Sequence, residues 1–198
     1  HVNGRRSFGD WDGSSAIVRI NEDGRATIIT GEGEIGQGTY TVLRQIAAEE
    51  LCLPYEDVDI TRPDTDVHPH SLGALASRVT YVAGRSVVQA AAEVEKKLKQ
   101  HAGEMLECAV DDLELRAGGR VGVKGVPGHE LSFAAISGRA HWAAGGPIIG
   151  AHTWVFDQKT IDPKRAVATG LPFQQIGIFS FTALVVEVEV DTLTGALI

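Results

Sequence analysis

Residues 25–51, RATIITGEGEIGQGTYTVLRQIAAEEL, join a β-branched run to an amphipathic period through a glycine-rich link. The stretch opens on Thr27, Ile28, Ile29 and Thr30, a β-branched run suited to a strand. It closes on Val42, Leu43, Ile46, Ala47 and Leu51, apolar at the 3.6-residue period of an amphipathic helix spanning about Thr39 to Leu51. Between the two lies Gly31-Glu32-Gly33-Glu34-Ile35-Gly36-Gln37-Gly38. Glycines at such a link let the backbone turn tightly and approach a ligand closely. The start of the following helix offers unpaired N–H groups and positive dipole, which suit a phosphate or another oxyanion. The spacing is neither the dinucleotide fingerprint nor a P-loop, because no Lys-Ser/Thr follows. The same residues also fit a plain strand-to-helix turn. Gln37 favours a ligand: a neutral donor and acceptor between two glycines has little to pack against and is free to reach outward.

Ser15–Ile20 is a second β-branched run, joined to Arg25–Thr30 through Asn21-Glu22-Asp23-Gly24 as a hairpin. Pro54 ends the first helix, and Asp57–Thr61 reads as a strand. After the unpatterned loop RPDTDVHPHSLGALAS comes a long helix, about Val82 to His101, and a short helical segment around Glu104–Ala109. Leu113–Leu115 and Arg120–Lys124 form a hairpin about Gly118-Gly119, and His129–Ser137 looks helical. From Gly138 to Gly170 the pattern is irregular. Leu184, Val186, Val188 and Val190 then alternate with Val185, Glu187, Glu189 and Asp191 in a period-2 strand, expected from Phe181 to Asp191. A Thr-Gly turn follows, so the reading expects a fragment of a longer chain, its hairpin partner still to come. The class is α+β: mixed or antiparallel sheets with hairpins, packed against two main helices. The best boundary falls near Gly138, giving residues 1–137 and 138–198.

Composition excludes several functions. The chain has 198 residues, enough for a real core, with 43% hydrophobic and 22% charged residues. A net charge of -8 and no dense basic stripe argue against nucleic acid. Lys96, Lys97 and Lys99 read as a solvated helix face. No run of about 18 apolar residues offers a membrane span, and no charged-then-apolar leader marks secretion. Cys52 and Cys108, isolated and without CxxC spacing, suit a reduced cytoplasm. Two cysteines are also too few for an iron–sulfur cluster, which takes about four.

A second candidate loop is Gly73-Ala74-Leu75-Ala76-Ser77-Arg78-Val79-Thr80, entering the long helix. Its small residues permit close approach, and Ser77 and Thr80 bring hydroxyls that serve equally as helix caps. Arg78 fits either a bound anion or an ion pair with Asp64 or Asp66. His68-Pro69-His70 lacks an acidic or thiol partner at ligand spacing and reads as exposed loop histidines, so no metal site is expected. No Ser-His-Asp order or carboxylate pair marks a catalytic centre.

The strings GEGEIGQGTYTVLRQIAAEELCLPYEDVDITRPDTD and SLGALASRVTYVAGRSVVQAA resemble the molybdopterin-binding large subunit of the xanthine dehydrogenase family. Aldehyde oxidases, aerobic carbon monoxide dehydrogenase and 4-hydroxybenzoyl-CoA reductase belong to it. The resemblance is specific from Ser15 to Ala91, thins to Gly170, and returns over Phe181–Gly195, where EVEVDTLTG is similar to the family's acidic strand and turn. It implies that the chain is part of a molybdopterin-binding domain in a molybdenum oxidoreductase. The first loop would contact the pterin or its phosphate through Ile35, Gly36 and Gln37. The second would hold the phosphate and pterin end through Ala74, Leu75, Ala76 and Ser77, with Val79 close by.

The implied cofactor is a molybdopterin dinucleotide with molybdenum. Iron–sulfur clusters, and often FAD, sit on partner subunits, and a small-molecule substrate binds beside the remainder of the same large subunit. The family's upstream Phe-Gly-Gly loop and Gln have no match here, nor does the downstream Gly-Glu motif that carries its general base. No catalytic residue is therefore assigned, and the isolated chain is expected to be inactive. The Ser-Arg pair in SLGALASR is similar to the reductase and carbon monoxide branches, and Ala74 argues mildly against the xanthine branch. The competing expectation is a non-catalytic small-ligand-binding or interaction domain related to the family.

Overall fold

The computed structural model describes residues 13–75, 77–155 and 183–197. Two sheets and three α-helices share one core. The larger sheet has strand order β3-β2-β1-β7, built from β1 (Gly13–Ile20), β2 (Ala26–Thr30), β3 (Val58–Ile60) and β7 (Ile149–Val155). The smaller sheet, order β4-β5-β6, contains β4 (Leu113–Arg116), β5 (Arg120–Val123) and β6 (Glu130–Ser132). The helices are α1 (Thr39–Glu50), α2 (Gly84–Leu106) and α3 (Phe133–Ala143). The α+β class expected from the sequence is the class observed.

β1 and β2 pair antiparallel, with Val18 opposite Ile28. Their turn closes by Asn21 N–H donating to Arg25 O at 2.8 Å, with Gly24 at φ 88°. Along β1 the side chains alternate buried and half-buried, and Ala16, Val18 and Ile20 face the core. They join Leu43, Ala47 and Leu51 of α1 and Val87, Ala90, Val94 and Leu98 of α2 in one cluster. Helix α1 is the crossover that returns the chain to β3, which lies parallel to β2.

α1 ends in a Schellman motif. Leu53 N–H reaches Ala48 O at 2.9 Å and Cys52 N–H reaches Glu49 O at 3.2 Å, with Cys52 at φ 53° where glycine is usual. Cys52 O then accepts the N–H groups of Gly118 and Gly119, at 3.0 and 3.2 Å, and ties α1 to the β4–β5 turn.

Several elements differ from expectation. The long helix runs to Leu106 and absorbs most of the short segment expected at 104–109, because Gly103 is small enough to pass beside Cys108. The helix expected over 129–137 begins at Phe133, where Ser132 Oγ caps it by accepting from Ala135 N–H at 3.2 Å, and residues 130–132 form β6 instead. The boundary expected near Gly138 falls inside α3, which continues to Ala143. Within the stretch expected to be irregular, β7 pairs with β1 over seven residues, Gly13–Val155 through Arg19–Ile149. Residues 156–170 lie outside the described residues.

The closing strand is not formed as expected. Phe181 and Thr182 lie outside the described residues, and residues 183–189 carry no sheet pairing among the described residues. Val190 bridges to Leu197, across a turn in which Asp191 N–H donates to Ala196 O at 2.9 Å. Leu184, Val185, Val186 and Val188 stay exposed. Alternation signals a strand, but a strand needs a partner.

The close approach of β7 to α2 depends on one glycine. A Cβ at Gly150 would collide with Ala90 O, within the helix backbone. Gly138, in α3, has a helical conformation, and a methyl added there would meet nothing within 4 Å. Gly150→Ala should therefore destabilise by about 3 kcal/mol or more through overpacking, and Gly138→Ala should stabilise by about 1 kcal/mol. Urea unfolding of both variants checks the opposite signs; equal effects would contradict the packing.

Candidate functional site

The two candidate loops meet through a buried ion pair. Arg78 Nη1 lies 2.9 Å from Glu32 Oε1 and 3.2 Å from Oε2, with side-chain exposures of 1% and 0%. Ser14 Oγ donates to the same Oε1 at 2.7 Å. Arg78 also donates to Gly73 O at 3.2 Å and to Gly13 O at 2.8 Å. One guanidinium thus binds the first loop, the second loop and the start of β1. The expected partners of Arg78, Asp64 and Asp66, are not its partners; they sit in an exposed loop, where Asp64 Oδ1 accepts from Asp66 N–H at 2.9 Å. Sequence reasoning missed Glu32. An acidic residue inside a glycine-rich loop was the available sign.

The first loop satisfies itself. The Glu34 carboxylate accepts N–H groups from Gly36 at 2.7 Å, Gly38 at 3.0 Å and Tyr40 at 3.3 Å. Tyr40 lies in the first turn of α1, so part of the N–H set expected to await an oxyanion is taken by the chain's own carboxylate. The Gly38 N–H holds the Glu34 carboxyl below the usual carboxylate range; desolvation opposes this, and the Gly36, Tyr40 and Thr39 N–H groups add to it. The Gln37 amide is engaged as well: Oε1 accepts from Ile35 N–H at 2.8 Å, and Nε2 reaches Thr39 Oγ1 at 2.5 Å. The expectation that it stands free is corrected.

What remains open is the space above the backbone. Gly36 at φ 100° and Gly38 at φ 83° need glycine for conformation, and a Cβ at either would meet nothing within 4 Å. Gly33 also has nothing within 4 Å and no left-handed φ. The side chain of Ile35 is 74% exposed. Gly31 differs: a Cβ there would collide with Pro69 O, where the 61–71 loop crosses the end of β2.

In the second loop Ser77 is exposed at φ 55°, a conformation that costs a non-glycine residue free energy and marks a backbone held by its surroundings. Ala74 packs against the core and Leu75 is half-buried. Val79 is 7% exposed, so only its main chain can face a ligand. Ala76 lies outside the described residues. The chain then makes a π-helical turn, Val79–Ala83, before α2, and no side chain caps that turn, contrary to the capping role open to Ser77 and Thr80. Tyr81 of the turn stands edge-to-face with Trp154 of β7, centroids 5.3 Å apart.

His68 is not an exposed loop histidine. It is half-buried and braces its own loop, with Nε2 2.6 Å from Thr61 Oγ1 and Nδ1 3.0 Å from Asp64 N. His70 is exposed, and no group of three metal-ligating side chains occurs among the described residues.

A strand–glycine loop–helix unit is clasped to a second small-residue loop through Glu32 and Arg78. The chain belongs to the molybdopterin cofactor-binding domain family, whose model matches residues 2–197. It is 46% identical over 101 residues, 51% of the chain, to the 6-hydroxypseudooxynicotine dehydrogenase complex subunit gamma of Paenarthrobacter nicotinovorans, covering 13% of that protein. Among solved structures it matches the carbon monoxide dehydrogenase of Oligotropha carboxidovorans at TM-score 0.66 and 29% identity, over 72% of this chain and 18% of that one. It matches the quinoline 2-oxidoreductase of Pseudomonas putida 86 at TM-score 0.64 and 34% identity, over 72% and 19%. The chain thus spans less than a fifth of the proteins it matches.

The Glu34 contacts are testable directly. Because its folded-state pKa is depressed, its contribution to loop order is complete above the unfolded value of about 4.3 and is lost as pH falls below that, through the lower folded value. The amide resonances of Gly36, Gly38 and Tyr40 should titrate with a midpoint below that of an unfolded Glu. A midpoint at or above the unfolded value would contradict the carboxylate contacts.

Proposed function

We propose that this segment supplies part of the molybdopterin dinucleotide site in the large subunit of a molybdenum oxidoreductase. Ile35, Gly36 and Gln37 line one side of the bound cofactor; Ala74, Leu75, Ala76 and Ser77, with the main chain of Val79, line the other. The observation that carries this is the junction of the two loops at Glu32 and Arg78, with open space over Gly33, Gly36 and Gly38 beside it. Such bare backbone fits a flat, polar group that must be approached closely. When bound, the cofactor supplies the redox chemistry. The chain's own residues bind and orient it: the Ser77 hydroxyl and Gln37 amide offer hydrogen bonds, the latter once it leaves Ile35 N–H and Thr39.

Catalysis then depends on the remainder of the subunit, on iron–sulfur and FAD-bearing partner subunits, and on a small-molecule substrate. The match to a subunit of a dehydrogenase complex supports such partners. Cys52 and Cys108 are free thiols, which favours a reducing cytoplasm. Among the described residues no helix is long and apolar enough to cross a membrane. Arg78 is held inside the protein by Glu32, so the Ser-Arg sequence at residues 77–78 does not bear on the choice between substrate branches.

Gly33 gives a clean test, because it needs neither left-handed φ nor its missing Cβ for packing. Gly33→Leu should shift stability by no more than about 0.5 kcal/mol, as surface changes do, while filling the cofactor space. In the full-length subunit, metal analysis should show molybdenum per protein at least tenfold below wild type, with an unchanged melting temperature. Wild-type molybdenum content in the variant would refute the assignment. A wild-type subunit that carries no molybdenum would point to the non-catalytic reading.

A further inference from the structure

We propose that Glu32, Arg78 and Ser14 form a positioning element that sets the two cofactor loops at a fixed separation, and that weakening it empties the site while the fold persists. The inference rests on the cofactor reading above and extends it to residues that do not themselves face the open space.

Burying two opposite charges is a poor way to stabilise a fold. Their desolvation is costly, and an apolar pair of similar volume often does as well or better. What this pair supplies is geometry. Glu32 accepts from two sources, Arg78 Nη1 and Ser14 Oγ, and Arg78 reaches Gly73 O and Gly13 O besides. The planar guanidinium fixes these directions together in a way that a Lys ammonium, with its mobile stem, does not.

The pair is also one residue from the ligand face of each loop. Gly33, next to Glu32, begins the open backbone. Ser77, next to Arg78, is exposed and held at φ 55°. A displacement of the pair therefore moves both faces at once. Around it, β1, β2 and α2 keep their own core of Val18, Ile28, Val87 and Ala90.

The test uses the full-length subunit isolated in its complex, with Glu32→Gln, Arg78→Lys, Ser14→Ala and Ser14→Thr. Three quantities are measured: molybdenum per subunit, hydrogen exchange of residues 33–38 and 75–79, and exchange protection of β1, β2 and α2. Glu32→Gln and Arg78→Lys should lose at least tenfold in molybdenum and exchange faster in both loops, with strand and α2 protection retained. Ser14→Ala should fall between these and wild type, and Ser14→Thr, which keeps the hydroxyl, should recover most of the loss.

Folded Glu32→Gln and Arg78→Lys proteins with wild-type molybdenum and loop exchange would overturn the proposal. Should those two not fold, Ser14→Ala decides: wild-type molybdenum and loop exchange overturn it, while lowered molybdenum with Ser14→Thr recovery supports it. If wild type itself binds no molybdenum, the cofactor reading fails separately. Loop exchange still decides the clasp in that case: faster exchange of both loops in Glu32→Gln supports it, and unchanged exchange overturns it.

Discussion

The buried contact between Glu32 and Arg78 is the constraint around which the site is arranged. It joins residues 46 apart in sequence and adds the start of β1 through Ser14 and Gly13. β1 in turn lies between β2 and β7, so the same anchor connects the glycine loop at the end of β2 with the strand that Trp154 occupies. The entry to α2 follows at once: Arg78 O accepts from Val82 N–H at 2.7 Å within a π-helical turn. Turns of that kind are rare and often occur at functional sites. Here one lets the chain leave an exposed, left-handed Ser77 and bury Val79 and Val82 within a few residues.

The glycine loop that this anchor joins holds its polar groups in internal bonds. Glu34 accepts the N–H groups of Gly36, Gly38 and Tyr40, the last in the first turn of α1, and Gln37 returns to Ile35 and Thr39. A loop with two positive-φ glycines, Gly36 and Gly38, would lose much conformational entropy on ordering. These bonds order it in advance, which lowers the cost of ligand binding. The proposed contact through Gln37 exchanges one set of hydrogen bonds for another, so its net contribution is smaller than the bond itself.

Much of the fold was legible because it is local. Asn21–Gly24, the 3.6-residue period of α1 and Gly118-Gly119 announce structure within a few residues, and each was observed where expected. β7 was missed because its sequence, IGAHTWV, has no clean alternation and follows a Gly-Gly-Pro break; its strand character comes from seven pairings with β1. The opposite error occurred at residues 184–190, where alternation is clear and pairing among the described residues is confined to Val190. At the site, the glycine loops were visible as composition, while the ion pair was not. Arg78 had nearer acidic residues in Asp64 and Asp66, and nothing local distinguishes Glu32 from Glu34. One carboxylate is buried against a guanidinium and the other accepts from the first turn of a helix, a choice made by three-dimensional packing.

If the two loops form one cofactor site on a shared buried anchor, a structure of the full-length subunit with its cofactor bound will show cofactor atoms in contact with both residues 35–37 and residues 74–77, with Arg78 still bonded to Glu32. Cofactor bound elsewhere, or touching one loop while the other lies apart with the ion pair broken, would contradict the shared site.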